Sequence, residues 1–182
     1  AGSDITQGLP RVQEIFEARQ PKGEAVISDV DGKILSILNE SSKTMSIKVE
    51  TLEGEIKEYL VPTGSSLRIA KGDMIAKGTP FVDGTLDLRK LFEIMGREAL
   101  HRYILREIQE IYASQGEGIN DKHIEVIIRQ MLSRVRVLDS GDADVLPGDI
   151  IEKDQFEEAN EEVAAAGGKL AVGEPLLLGI TK

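Results

Sequence analysis

The stretch Gly118-Ile-Asn-Asp-Lys-His-Ile-Glu-Val-Ile-Ile-Arg-Gln-Met-Leu132 decides how the rest of the chain is read. Asn120 or Asp121 can cap a helix, because either side-chain oxygen can accept from N–H groups that the first turn leaves unpaired. Ile124, Ile127, Ile128, Met131, Leu132 and Val135 follow at i, i+3, i+4, i+7, i+8 and i+11. That spacing makes one broad apolar stripe, which must lie against a core. Lys122, Glu125, Arg129, Ser133 and Arg136 take the other side. His123, one of two histidines in the chain, falls in the first turn.

Outward from this helix, the period identifies two kinds of structure. Upstream, Leu100, Ile104, Ile108, Ile111 and Tyr112 form a second apolar stripe that Gln115-Gly116 ends, so the two stripes predict an antiparallel helical pair. Leu86, Leu88, Leu91 and Phe92 precede a break at Gly96. Near the beginning, residues 1–8 read as a loop and Leu9–Arg19 as a short helix with Pro10 in its first turn and Pro21 behind it. Between Glu24 and Gly84 the period is 2. Ala25–Val30 and Lys33–Leu38 flank Asp31-Gly32, a strong hairpin signal. Thr44–Glu50, Ile56–Val61, Leu67–Ile69 and Phe81–Val82 complete five or six short strands. Arg134–Leu138 reads as a strand, Ser140–Gly148 as an acidic loop, and Asp154 as the cap of a helix running to about Ala166. The aliphatic run from Pro175 reads as a buried strand or turn, and an ending of this kind suggests a piece of something larger.

The fold class expected is therefore α+β: a small β-barrel or sandwich-like module beside an antiparallel helical pair, followed by a short strand-helix-strand segment. The segments are 1–20 (loop and helix), 21–84 (β-rich), 85–138 (helical) and 139–182 (acidic loop, helix and strand).

Composition excludes several functions. The net charge is −10, from 32 acidic against 22 basic residues, so binding of nucleic acid over a large surface is disfavoured, though local basic contacts are not. Aromatics make up 4% and Trp is absent, which argues against a stacking platform for single strands. There is no Cys for disulfides or thiolate metal sites. No apolar run approaches the roughly 20 residues of a membrane span. Asp139, Asp142, Asp144 and Asp149 lack the spacing of a Ca²⁺ loop. No Walker loop, GxGxxG loop or nucleophile elbow occurs. Asp121, His123 and Glu125 could form an acid–base cluster one turn long, against the simpler reading of a hydrogen-bonded helix start.

Three blocks carry a resemblance: Gly2-Ser-Asp-Ile-Thr-Gln-Gly-Leu-Pro-Arg-Val12 with Phe16-Glu-Ala-Arg19, then Asn120–Leu132, then Leu178-Gly-Ile-Thr-Lys182. In this order and at these separations they resemble the largest (β′) subunit of bacterial RNA polymerase, over the whole chain. The resemblance implies a segment running from just after the trigger loop, through the jaw, to the first switch segment. It implies transcription as the process and a cytoplasmic, nucleoid location. The partners implied are the β, α, ω and sigma subunits and downstream double-stranded DNA, with no membrane. The family's catalytic aspartates lie in an Asn-Ala-Asp-Phe-Asp-Gly-Asp motif that this sequence lacks. No catalytic residue, metal ligand or cofactor is therefore expected here, and the Mg and Zn of the whole subunit are expected outside this chain. Two DNA-binding positions carry over, Arg11 and Lys182, each as a phosphate contact without base readout. By itself Arg11 also reads as a solvated helix charge with Glu14 as its i, i+3 partner. A further expectation is an acidic docking surface for basic transcription regulators or phage proteins, formed by Asp29, Glu40, Glu50, Glu53, Glu55 and Glu58.

Overall fold

The computed structural model describes residues 2–180. In chain order the elements are α1 (Gly2–Phe16), β1 (Gly32–Asn39), β2 (Thr44–Thr51), β3 (Ile56–Pro62) and β4 (Met74–Ile75). Then come α2 (Leu88–Met95), α3 (Arg97–Ser114), α4 (Asp121–Met131), β5 (Arg134–Asp139), β6 (Ile150–Glu152), α5 (Lys153–Ala165) and β7 (Val172–Leu176). The class is α+β. The chain forms two compact units: Gln20–Leu100, and residues up to Arg19 together with those from His101 onward. The boundary falls inside α3, whereas the hydrophobic period changes at Gly84. A period reports the secondary structure of a segment and not the core that it joins.

In the unit Gln20–Leu100, an antiparallel sheet of order β3-β2-β1-β4 curls into a half-barrel. Isolated bridges add Ile27 to Pro80 and Leu67 to Val82, both antiparallel, and Glu24 to Thr85, parallel. Alternation along β2 sends Met45, Ile47 and Val49 inward, where they meet Ile34, Val61, Ile75 and Phe81. A bulge between Ile34 and Ser36 of β1 absorbs Leu35 and restores the inward phase at Ile37. Asp87 caps α2, its Oδ1 accepting from Arg89 N at 2.9 Å, and Leu88 and Leu91 are buried. Lys90 Nζ, on the same helix, donates to Glu24 Oε1 at 2.5 Å.

The Asp31-Gly32 hairpin does not form. Ala25–Val30 is not a strand: Ser28 is fully buried and its Oγ donates to Val30 O at 2.7 Å, closing a local turn. Gly32 instead opens β1, paired with Thr51 on one side and Ile75 on the other. A Cβ there would stand 2.3 Å from Glu50 O, so the glycine answers a close backbone approach and not a turn. Asp31 Oδ1 accepts from Lys77 N at 2.7 Å, bracing the Lys77-Gly78 turn. The hairpins that do form join β1 to β2 and β2 to β3.

Outside the core, Asp29 accepts from the Tyr59 hydroxyl and from Lys57 Nζ at 3.2 Å. The Tyr59 bond holds the Asp29 carboxyl below its usual 3.8; partial burial opposes this and Lys57 adds to it. Folding thus weakens proton binding at Asp29. The stabilisation is complete above the ordinary value near 3.8 and is lost as the pH falls through the lower folded value. Asp29→Asn should therefore flatten the acid limb of a stability–pH curve below that point and leave the range from about pH 5 to 8 unchanged. The effect is small, since both ionic partners are well exposed. Parallel acid limbs for the two proteins would rule the assignment out.

In the other unit α1 begins earlier than expected, at Gly2, and runs through Pro10. The ring removes the N–H that would reach Thr6 O and crowds that carbonyl, and the helix continues on both sides of it. The helix closes with Arg19 N on Glu14 O at 3.0 Å around Ala18, which has φ 50° where glycine is usual. In α3, Ile104 and Ile108 are fully buried; in α4, Ile124, Ile128 and Met131 are buried too. Asn120 is the α4 cap, its Oδ1 accepting from Lys122 N at 2.9 Å. The stripe stops at Leu132, and Val135 belongs to β5 and not to the helix.

The second sheet has order β6-β5-β7, all antiparallel. Pro175 is tolerated because β7 is an edge strand. Val163 of α5 is buried, and Asn160 clamps Ala171 by bonds of 3.0 and 2.8 Å in both directions. The α5 cap position is Glu152, without a side-chain bond; Asp154, expected as the cap, sits in the first turn, where its charge favours the helix dipole.

Candidate nucleic-acid interface

Arg11 lies in the third turn of α1, directed at α3. Its Nη1 donates to Glu14 Oε1 at 2.6 Å, its Nη2 donates to the Tyr103 hydroxyl at 3.1 Å, and Nη2 stands 4.0 Å from Glu107 Oε1. The i, i+3 partner is the one expected, but the solvated setting is not: the Arg11 side chain is only 12% exposed. Its Nε is buried without a hydrogen-bond partner. Two carboxylates thus face one guanidinium, which remains partly unsatisfied. Lys182, the second expected contact, lies outside the described residues.

Three residues that sequence reasoning missed complete this cluster: Tyr103, Arg106 and Glu107, all on α3. The Arg106 guanidinium stands over the Tyr103 ring, 5.7 Å from its centroid. The signal was available, since positions 103, 106 and 107 share a helix face. What the sequence could not supply was the pairing of that face with α1.

The segment after β7 is fastened to the same unit. Leu178 N donates to Met131 O at 3.0 Å and Ile180 N donates to Phe16 O at 2.9 Å. These carbonyls are the last helical residues of α4 and α1, which have no intrahelical partner. Gly179, between them, passes so close to α1 that an added Cβ would stand 2.4 Å from Glu17 O.

The acid–base trio does not assemble. Asp121 accepts from Gln109 Nε2, Glu125 Oε1 lies 3.8 Å from His101 Nε2, and His123 is exposed. The acidic loop and its flanks likewise use their carboxylates as acceptors for backbone N–H groups: Asp139 for Gly141 N, Asp142 for Lys169 N and Asp149 for Leu146 N. The bond from Gly141 N, then the Lys169 ammonium, hold the Asp139 carboxyl below its usual range. Among the described residues, no group of three or more His, Cys, Asp or Glu side chains is arranged to hold a metal ion. No helix among them is long and apolar enough to cross a membrane. In the other unit, Asp29 and Glu58 are engaged, Glu58 by Ser46 Oγ at 2.6 Å, while Glu40, Glu50, Glu53 and Glu55 are exposed.

Residues 1–182 match the family described as RNA polymerase Rpb1, domain 5. The chain belongs to that family. Among curated relatives it is similar to the DNA-directed RNA polymerase subunit beta' of Bacillus velezensis, 47% identical over 182 residues, and of Bacillus subtilis, 46% identical over the same length. The subunit beta' of Clostridium botulinum is 47% identical over 182 residues. Each match covers 100% of this chain and 15% of the relative. An Rpb1 domain 5 chain of this length is thus comparable to a minor part of those subunits, and both compact units fall within the matched region.

Proposed function

We propose that this chain is a segment of a bacterial β′ subunit and serves transcription as the jaw and downstream-DNA channel scaffold. The observation that carries the reading is the match of all 182 residues to Rpb1 domain 5, with 45–47% identity to several beta' subunits. The curled sheet of residues 21–84 is the jaw module, residues 1–20 join the downstream-DNA channel, and residues 85–138 are the helical scaffold. Residues 139–182 lead to the switch segment. Arg11 and Lys182 neutralise phosphates of the downstream duplex. The β, α, ω and sigma subunits are the partners, in the cytoplasm at the nucleoid. Nucleotidyl transfer is a property of the whole enzyme, and the segment alone is inactive.

The test is Arg11→Ala in the whole polymerase. Open-complex lifetime should shorten, and its dependence on salt should become less steep by about one phosphate contact. Lifetimes indistinguishable from wild type across a salt series would remove Arg11 from the interface.

A second reading rests on the β2–β3 connection, where Glu50, Glu53 and Glu55 surround Leu52 and Ile56, which are 77% and 62% exposed. An acidic tip with apolar side chains suits a basic regulator or phage protein. Binding assays with basic regulators, comparing the native chain with a variant carrying Gln at these three acids, would decide it.

A further inference from the structure

We propose that Arg102 and Arg106 on α3 supply the free positive charge of the phosphate site to which Arg11 belongs. The inference rests on the downstream-DNA reading above and extends it to residues that neither the resemblance nor the family match assigns. Without Arg106, one guanidinium against the carboxylates of Glu14 and Glu107 leaves a net negative charge around Arg11. A phosphate approaching Arg11 alone meets two carboxylates that already hold it, and must displace at least one. A cluster in that state needs further cations to attract DNA in an otherwise acidic chain.

Arg102 and Arg106 meet that need. Both are exposed, and among the described residues neither has a carboxylate within ion-pair distance, unlike Arg11, Arg19, Arg134 and Arg136 of the same unit. They are four positions apart, so they stand on one helix face, about 6 Å apart along the axis. One strand of a duplex presents a phosphate roughly every 3.4 Å of its axis, so the two cations can engage neighbouring or next-neighbouring phosphates. Arg106 is also held in place. Its guanidinium lies over the Tyr103 ring, and the Tyr103 hydroxyl accepts from Arg11. A cation–π contact uses the charge of the guanidinium without taking up its N–H groups in hydrogen bonds to an acceptor oxygen, which leaves them for a phosphate. Tyr103 therefore links the neutralised arginine to the free one.

The experiment uses the whole polymerase carrying Arg102→Ala/Arg106→Ala, on two promoter templates: one with long downstream duplex, one truncated close to the active centre. Open-complex stability is measured across a KCl series. On the long template the magnitude of the log–log salt slope should fall by about 0.9 for each lost contact, close to 1.8 for the pair. Arg102→Lys/Arg106→Lys should recover most of that slope, and on the truncated template wild type and double variant should converge. If wild-type stability ignores the downstream duplex, the channel reading itself fails. If wild type responds to the duplex but the double variant keeps the wild-type slope, this assignment alone fails. A defect confined to sigma or subunit assembly, with the slope intact, assigns the pair to a protein contact and likewise overturns it. Arg106→Ala alone, with half the expected change, gives the same decision should the double variant assemble poorly.

Discussion

Phe81→Ala lowers the unfolding free energy of the chain by about 3–5 kcal/mol, the largest loss expected from any single truncation in the β-rich unit. Phe81 is fully buried, and its ring packs against Tyr59 with centroids 4.8 Å apart and planes tilted by 44°. Such tilted pairs add roughly 0.5–1.5 kcal/mol to simple burial. The position matters as much as the ring. The long connection between β3 and α2 has little regular structure beyond β4, and Phe81 anchors it through its backbone as well as its ring. Phe81 N donates to Val26 O at 3.0 Å, and Arg68 N donates to Phe81 O at 2.9 Å. Urea denaturation should show a lower midpoint at a similar m value, with Phe81→Leu losing about half as much. A change below about 1 kcal/mol for the alanine variant would mean that this core collapses around the gap.

Gly179→Ala is expected to cost about 2–4 kcal/mol in the other unit, although it adds a single methyl group. The added carbon would stand 2.4 Å from Glu17 O, 2.7 Å from Glu17 C and 2.8 Å from Glu17 Cα. These are backbone atoms at the end of α1 and cannot swing aside as a flexible side chain would. Relief requires Leu178–Ile180 to lift, which breaks the bonds from Ile180 N to Phe16 O and from Leu178 N to Met131 O. Amide exchange at Leu178 and Ile180 should accelerate by two or more orders of magnitude, while amides of the β-rich unit keep their wild-type rates. As a control, Gly118→Ala has open space around its Cβ and should be close to neutral. Unchanged protection at both amides in Gly179→Ala would contradict the close approach.

Much of the fold was legible because local chemistry and tertiary packing agree there. Asn120 caps α4, Ile124, Ile128 and Met131 of its stripe are buried, and the strands of residues 44–50 and 56–61 occur where alternation places them. The failures share a cause. Asp31-Gly32 has the composition of a turn, yet the glycine is required by the close approach of the β2 backbone at Glu50. Val135 continues the spacing of the α4 stripe by coincidence, because a strand following a helix can repeat its apolar phase for one residue. The extension of α1 to Gly2 was masked by Pro10, a residue that ordinarily ends or kinks a helix, whereas α1 continues across it.

The candidate interface divides in the same way. The sequence by itself determined the α+β class, the helix stripes, the acidic balance and the three blocks that resemble β′, because periodicity, charge and motif order are properties of the chain. It also singled out Arg11 and its pairing with Glu14, which are one helical turn apart. Only the tertiary structure decided that Glu107 and Tyr103 share that guanidinium, that Arg102 and Arg106 have no carboxylate within ion-pair distance among the described residues, and that Gly179 must lack a side chain. Arg11 and Tyr103 are 92 positions apart, and Gly179 meets Glu17 from still farther. Charge neutralisation and close backbone approach depend on distances through space, and no spacing along the chain encodes them.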